Sequence, residues 1–372
     1  MQIYDFYSNF AVKYCFMNIN TDFYNDAVDL LKQLIAIPSV SKEESQLVDF
    51  LEIKLKEKNL RPHRKGNNIW LLSPNWNDNN PTILLNSHID TVKPPAGWTK
   101  NPFLPLEEDG KLFGLGSNDA GASVVSLLQV FLILTQTSQD NNFIFLASCE
   151  EEISGKNGVE SVLPELPPID LGVVGEPTSM QPAIAEKGLM VLDGTVYGRA
   201  GHAAREEGEN AIYKAIPVID WFRNHRFPSV SPLLGSVKMT VTGLQAGIQH
   251  NVVPDECKFT VDIRTNELYT NEELFDIISA ACGAEVQARS FRLNSSRIAP
   301  EHPLVRRAIE LGMTPFGSPT LSDQTFMLFP SIKIGPGNSA RSHTADEFIF
   351  PTEIEDAIIR YAALLNNLKI KF

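Results

Sequence analysis

Cysteine is scarce in this sequence: Cys15, Cys149, Cys257 and Cys282 are the four in 372 residues, and no two share a CxxC spacing. That density excludes a disulfide framework and a thiolate metal site, and a cytoplasmic protein with buried thiols is expected. Basic charge is short as well. Against 45 Asp and Glu stand 32 Lys and Arg, a net charge of −13 with His neutral. No nucleic acid partner is expected, because a phosphate backbone is bound by clustered cations. Long apolar runs are missing: the richest, residues 124–134, is interrupted by Ser126 and Gln129. It falls well short of the ~20 apolar residues that span a bilayer, so no membrane segment is expected. Residues 1–16 are aromatic-rich but lack the basic start, clean apolar stretch and cleavage site of a secretory signal. Residues 1–20 read as a loose extension, with Met17 as an alternative start. Also absent are internal repeats, low-complexity tracts and the GxSxG elbow of serine hydrolases. A dinucleotide fingerprint beginning at Gly114 would need glycine at 119, where Asp119 stands and would repel phosphate.

What is present is a globular composition, 43% hydrophobic and 21% charged, and a length that at ~150 residues per domain suits two domains. Phe23, Ala27, Leu30, Leu31 and Leu34 recur at helical spacing, and Ile37-Pro38-Ser39 ends that helix. A second helix is expected from Ser41 as N-cap, with Glu44 completing its capping box and Leu47, Phe50, Leu51 and Leu55 on one face. Strands at residues 68–72, 82–86, 143–148 and 171–174 flank a helix at 122–134, the alternation of an α/β sheet covered by helices on both faces. Beyond Glu186-Lys187-Gly188 the texture changes. Strands at 189–196, 235–242 and 258–264, with helices at 211–222 and 271–282, make a compact α+β unit. The α/β texture resumes with helices at 303–311 and 353–367 around a strand at 331–335. The expected organisation is one domain in two parts, residues 1–186 and 294–372, with residues 187–293 inserted.

Three of the apolar strands run out into potential metal ligands. One leads to His88-Ile89-Asp90, one to Glu150-Glu151-Glu152 and one to Gly175-Glu176-Pro177-Thr178. In an open α/β sheet ligands bind outside the carboxyl ends of the strands, so these side chains would converge. Each signal is weak alone; its repetition on three strands makes the site. Asp119, after the glycine-rich turn Gly114-Leu115-Gly116-Ser117-Asn118, adds a carboxylate, and His343, in Arg341-Ser342-His343-Thr344-Ala345-Asp346-Glu347, adds a second imidazole. Nitrogen and oxygen donors without thiolate suit zinc, cobalt or manganese in a catalytic role. One imidazole and one terminal carboxylate per ion, with one carboxylate bridging, would hold two ions ~3.5–4 Å apart as in two-metal hydrolases.

In this order the motifs resemble those of the dinuclear zinc peptidases and deacylases, the family that includes acetylornithine deacetylase, succinyl-diaminopimelate desuccinylase and carboxypeptidase G. The resemblance covers nearly the whole chain from about residue 20. It implies an α/β zinc-peptidase-like catalytic domain whose mixed sheet is covered on both faces, with a ferredoxin-like α+β insert serving as lid and dimerisation domain. It also implies one zinc on His88, Asp119 and Glu176, a second on Asp119, Glu152 and His343, and Asp90 orienting the His88 ring. Glu151 resembles the general base that takes a proton from a zinc-bridging water and delivers it to the leaving amine. Two departures stand out. Three Glu occupy the place of the usual Asp-Glu-Glu, which leaves the register of Glu151 and Glu152 open by one residue, and Asn118 stands where a basic residue is common. Gly201-His202-Ala203 resembles the motif whose imidazole crosses a dimer interface to stabilise the oxyanion. Asn251 and Arg264 resemble contacts to the substrate carbonyl and α-carboxylate, the latter suited to bidentate pairing. Arg341 is expected to bind substrate, with Lys187, Arg199 and Arg205 as further cations for the distal carboxylate of a succinyl group. His63, His225, His250 and His302 are given no role.

The activity implied is removal of an Nα-acetyl or Nα-succinyl group from an acylated amino acid by a homodimer. Within the family the length, Gly-Glu-Pro-Thr and Gly335-Pro336-Gly337 are most similar to acetylornithine deacetylase, which implies N-acetylornithine or N-succinylornithine and arginine biosynthesis. The alternatives are a succinyl-diaminopimelate desuccinylase, a metallo-dipeptidase or carboxypeptidase of the same family, and a non-catalytic dimeric binding protein on the same fold. The last would lack the metal ligands, and all five are here together with Glu151.

Overall fold

The computed structural model describes residues 21–370; the expected N-terminal extension, Met17 and Cys15 lie outside the described residues. In chain order the principal elements are α1 (Thr21–Ile35), α2 (Ser45–Glu57), β1 (His63–Lys65), β2 (Asn68–Leu72), β3 (Thr82–His88), α3 (Ala122–Thr135), β4 (Asn142–Ser148), β5 (Leu171–Val174) and β6 (Ala183–Glu186). They continue with β7 (Gly188–Tyr197), α4 (Ala211–Asn224), β8 (Lys238–Ala246), β9 (Glu256–Thr265), α5 (Asn271–Ala281), β10 (Glu285–Ala288), α6 (Pro303–Glu310), β11 (Ser331–Lys333) and α7 (Pro351–Leu365). They fall into two compact units. Among the described residues, one holds residues 21–184 together with Ile298–Phe316 and residues 322–370; the other holds Ala185–Arg297 and Gly317–Leu321.

The first unit is built on a mixed sheet in the order β1-β2-β4-β3-β5-β11-β6. At its centre β3 runs parallel to β4 and β5, and β5 parallel to β11, whereas β2 and β6 are antiparallel to their neighbours. Every residue of β3, β4 and β5 is buried, which is why these strands are apolar rather than alternating. On one face Phe131 of α3 packs against Phe145 of β4, ring centroids 6.4 Å apart. On the other, Trp70, Leu84, Ile144 and Leu146 pack with Val159, Val162, Leu166 and Met327. Being covered by α1 and α7 as well as the sheet, α3 is apolar nearly all round. The window Ser117–Thr135 is long and apolar enough to cross a membrane, with mean hydropathy 1.4, yet 78% of it is buried inside this fold. The parallel register Thr82↔Asn142 through His88↔Ser148, and Ile83↔Leu171 through Asn86↔Val174, brings the carboxyl ends of three strands to one edge.

The capping box expected at Ser41 is not formed. Helix α2 starts at Ser45, and the Glu44 carboxylate is buried, accepting from Lys42 N (2.8 Å), Asn67 Nδ2 (2.9 Å) and Glu150 N (3.2 Å). Ser41 Oγ donates instead to Asp90 Oδ2 at 2.7 Å. The Ser-x-x-Glu spacing is that of a cap, but both side chains are drawn to the strand ends.

The second unit is an antiparallel sheet in the order β8-β9-β7-β10 with α4 and α5 packed against it. The order of elements, β7-α4-β8-β9-α5-β10, is that of a split βαβ, ferredoxin-like unit. Burial alternates along β7 and β9, so that Leu192, Val261 and Ile263 meet Ala215, Phe222, Leu274 and Ile278 in the core. Both helices begin on real caps: Asn210 Oδ1 accepts from Ile212 N at 2.9 Å, and Thr270 and Glu273 form a reciprocal capping box. The unit also takes in Gly317–Leu321, outside the expected 187–293. Lys187 N donates to Ser318 O of that strip at 3.0 Å, a backbone bond that leaves no side-chain pattern to read.

Candidate metal centre

His88 ends β3 with its ring fully buried. Its Nδ1 lies 2.9 Å from the Asp90 carbonyl oxygen, which can only accept, so Nδ1 carries a proton and Nε2 is the nitrogen turned to the site. Around Nε2 stand Asp119 Oδ1 at 3.2 Å, Glu176 Oε1 at 3.6 Å and Glu151 Oε2 at 3.9 Å. The other oxygen of Asp119, Oδ2, lies 3.7 Å from His343 Nε2, which is itself 2.9 Å from Glu152 Oε2. One carboxylate thus faces two imidazoles. Two sets of three, His88–Asp119–Glu152 and His88–Glu151–Glu176, have their donor atoms within 4.8 Å of one another.

The turn after β4 separates the three consecutive glutamates. Glu150, at φ 56°, turns its carboxylate away to Asn157 Nδ2 at 3.0 Å. Glu151 and Glu152 follow in a single helical turn whose backbone N–H groups donate to Asp90, Glu151 N to Oδ1 at 3.0 Å and Glu152 N to Oδ2 at 3.2 Å. Asp90 therefore touches the His88 side of the site and the glutamate turn at once. Beneath the strand ends, the buried Asp323 accepts from Ser148 Oγ (2.6 Å) and Asn86 Nδ2 (2.9 Å).

Burial and mutual repulsion shape the titration of the site. Burial, with Asp119 and Glu152 nearby, pushes Glu176 up to about 8 against the pull of His88. Burial likewise holds Glu151 well above the usual carboxylate range, with Glu176, Asp323 and Glu152 adding to it. Hydrogen bonding to Glu152 carries His343 up to about 9. Against burial, which opposes it, contacts with Asp119 and Asp90 hold His88 well above its ordinary value. Oε1 of Glu176 is buried with no hydrogen-bond partner. A buried carboxylate oxygen without a donor is costly, and a cation is the partner that would satisfy it. The donors are nitrogen and oxygen only, as hard or borderline divalent ions require. The residues fit a metal centre.

The structure brings together His88, Asp90, Asp119, Glu151, Glu152, Glu176 and His343. Arg341, expected to bind substrate, is paired with a carboxylate of its own chain. Its guanidinium makes a two-pronged pair with Glu353, 2.7 Å and 3.2 Å, and lies over the Phe348 and Phe350 rings, so it fastens the start of α7. Asn118 is also explained: its Nδ2 donates to Asn338 O (3.2 Å) and Ser342 Oγ (3.3 Å), and its Oδ1 accepts from Asn338 N (2.9 Å). The sequence offered Ser41 only as a helix cap and gave no role to Asp323 or Glu347. For Glu347 the nearest signal was its place four residues after His343.

The other expected residues belong to the second unit. There a short antiparallel pair, Gly201–His202 with Val252–Val253, sets His202 beside Asn251, and Ala203 N donates to Asn251 O at 3.0 Å. His202 is exposed and its Nδ1 accepts from Ala204 N at 3.1 Å. Arg264 grips Asp262 through Nε (2.9 Å) and Nη2 (3.1 Å). Arg199 and Arg205 lie 3.6 Å and 3.9 Å from Glu209 and Glu207, and Lys187 donates to Ser236 O at 3.2 Å. His225 stacks on Trp221, centroids 4.4 Å apart, and in the first unit His63 stacks on Trp70 at 5.5 Å while His302 caps α6.

Residues 84–367 match the model of peptidase family M20/M25/M40. The chain belongs to that family, and it is an enzyme acting on amide bonds. Among curated relatives, an acetylornithine deacetylase of Proteus mirabilis is 26% identical over 373 residues, covering 91% of this chain and 96% of its own. An acetylornithine deacetylase of Pectobacterium atrosepticum is 29% identical over 72% of this chain and 75% of its own, and a succinyl-diaminopimelate desuccinylase of Wolbachia pipientis 25% identical over 73% of each. Among solved structures, aminopeptidase PepT of Bacillus cereus shares the fold at TM-score 0.75 and 18% identity, covering 92% of this chain and 98% of that one. A dinuclear metal binding peptidase of the M20 family from Bacillus subtilis does so at 0.68 and 16%, covering 93% and 98%.

Proposed function

We propose that this enzyme hydrolyses the amide between a small acyl group and the α-amine of an amino acid, with N-acetylornithine and N-succinylornithine as the first substrates to try. The observation that carries this reading is Asp119, whose two oxygens face His88 and His343. The names of the curated relatives support the choice of acyl amino acids; the acetylornithine deacetylases among them favour a place in arginine biosynthesis, and the succinyl-diaminopimelate desuccinylases point instead to lysine biosynthesis. The desuccinylase among them favours succinyl as the second acyl group.

Two divalent ions, zinc first with cobalt or manganese as alternatives, would be held by His88, Asp119 and Glu176 and by Asp119, Glu152 and His343. When bound, they supply positive charge that acidifies water and polarises a carbonyl. Glu151 is the proton carrier: it takes a proton from the attacking water as the C–O bond forms and delivers it to the amine as the C–N bond breaks, leaving a free carboxylate and a free amine. Its desolvated surroundings suit a carboxylate that must both accept and release a proton. His202, its Nδ1 occupied by Ala204 N–H, keeps a proton on Nε2 and would donate it to the carbonyl oxygen of a substrate in the partner of a homodimer formed through the ferredoxin-like unit. Asn251 would contact the same carbonyl. Arg264 pairs with Asp262 through Nε and Nη2, which leaves Nη1 for the substrate α-carboxylate.

The test is amine release from a panel of N-acetyl, N-succinyl and N-formyl amino acids, with and without a zinc chelator. Chelator-sensitive cleavage of an ornithine derivative is expected. If metal-loaded protein cleaves nothing on the panel but cleaves dipeptides, the deacylase reading is wrong.

A further inference from the structure

Glu347 is 2% exposed, yet it carries no role in the chemistry above. All of its acceptors are turned to one stretch of backbone. Oε1 accepts from Asn118 N at 2.8 Å and from Asp119 N at 2.9 Å, Oε2 from Gly116 N at 3.1 Å, and its own carbonyl oxygen from Gly114 N at 3.0 Å. Successive backbone N–H groups pointing into one concavity form an anion-binding nest. Here the anion is supplied by the chain itself, and the last N–H of the nest belongs to the carboxylate that faces both imidazoles. Gly116 sits at φ 76°, a left-handed conformation that lets the turn fold around the carboxylate.

The same segment that brings Glu347 also brings His343. Asn118 adds a second tie between the two stretches, through Asn338 and Ser342. We infer that Glu347, reinforced by Asn118, is a positioning residue that fixes the Asp119 turn to the His343 segment, so that the Asp119–Glu152–His343 half of the centre is preassembled. Both carboxylate oxygens of Glu347 are spent on backbone N–H groups, so it acts through Asp119 and does not itself ligate. The inference rests on the two-metal reading, and its effect is asymmetric. Asp119 serves both halves, but the His88–Glu176 half takes its other two ligands from the ends of β3 and β5. The other half takes both Asp119 and His343 from the two stretches the clip joins, so the loss falls more heavily there.

The experiment is a zinc titration of the metal-free protein against a competing chromophoric chelator, for wild type and Glu347→Gln. Glutamine keeps the size of the side chain but turns an N–H₂ toward a nest of donors. Wild type is expected to take two equivalents. In Glu347→Gln the first should bind within ~3-fold of wild type, while the second weakens by ~10- to 100-fold, the usual cost of losing a partner behind a ligand. Thermal unfolding of the metal-free variant checks that it is folded. If the variant does not fold, Asn118→Ala removes only the amide tie and should show the same selective loss in smaller measure. A folded variant that binds both equivalents as wild type does, or loses both equally, overturns the inference and leaves the two-metal reading standing. Wild type that takes up fewer than two equivalents overturns both.

Discussion

Ser41 and Asp90 are joined by a hydrogen bond of 2.7 Å from Oγ to Oδ2, and through it a residue of the loop before α2 helps fix a buried carboxylate at the metal centre. Removing the hydroxyl leaves Asp90 with two backbone donors, Glu151 N and Glu152 N. Ser41→Ala should cost ~1–3 kcal/mol of stability, the range for a lost hydrogen bond to a charged group, and lower turnover modestly while metal content holds. Chemical denaturation with metal analysis reads both. Unchanged stability would show that the Ser41 bond adds nothing to holding Asp90.

Glu151 and Glu152 should part company on substitution. Glu152 reaches His343 at 2.9 Å, whereas the nearest imidazole to Glu151 is His88, 3.9 Å away. Glu151→Gln is expected to lower kcat by ~10²- to 10⁴-fold, the usual worth of a general base, with metal stoichiometry intact. Glu152→Gln should lose metal. The reverse pattern would exchange their roles.

His202→Ala should lower kcat by ~10²- to 10³-fold, as loss of an oxyanion donor does, without changing metal content. Mixing it with Glu151→Gln and re-forming dimers should restore activity, since one site per mixed dimer then carries both groups. Verified mixed dimers with no recovery would place the imidazole in its own chain's site or outside the chemistry.

The metal-free protein should lose stability as pH rises from about 5 to about 9. In the folded chain Glu176 holds its proton up to about 8, against an ordinary 4.5, and His343 up to about 9, against 6.5. The folded state therefore binds more protons than the unfolded one across that window, and stability falls as they are removed. A lower Tm at pH 8.5 than at pH 5.5 is expected without metal, with zinc abolishing most of the difference. A Tm that rises over the same interval contradicts the assignment.

How much was legible follows from where each interaction runs. His88 ends a buried parallel strand and Glu151, Glu152 and Glu176 lie just beyond two others, and parallel strands align their carboxyl ends whatever the loops do. That logic can be read from apolar runs followed by acids. Ser41 and Glu44 were misread because their spacing copies a helix cap, while the partners that claim them, Asp90, Asn67 and Glu150, are remote in sequence. Arg341 looked available for the same reason: Glu353 neutralises it from the next helix. Glu347 acts on backbone N–H groups, which carry no residue identity and so leave no mark in a sequence. The strip Gly317–Leu321 meets Lys187 through a backbone bond and was equally invisible.

The sheet order sets a constraint on how the protein is made. Strand β11 lies between β5 and β6, although it follows both in the chain and comes after the whole ferredoxin-like unit. A ribosome delivers β5 and β6 first, with a gap that stays open until residues 331–333 emerge. His343 comes later still. Until then His88 is, among the described residues, the sole imidazole facing Asp119, Glu151, Glu152 and Glu176, so the half of the site that needs His343 is completed only after the strand that closes the sheet.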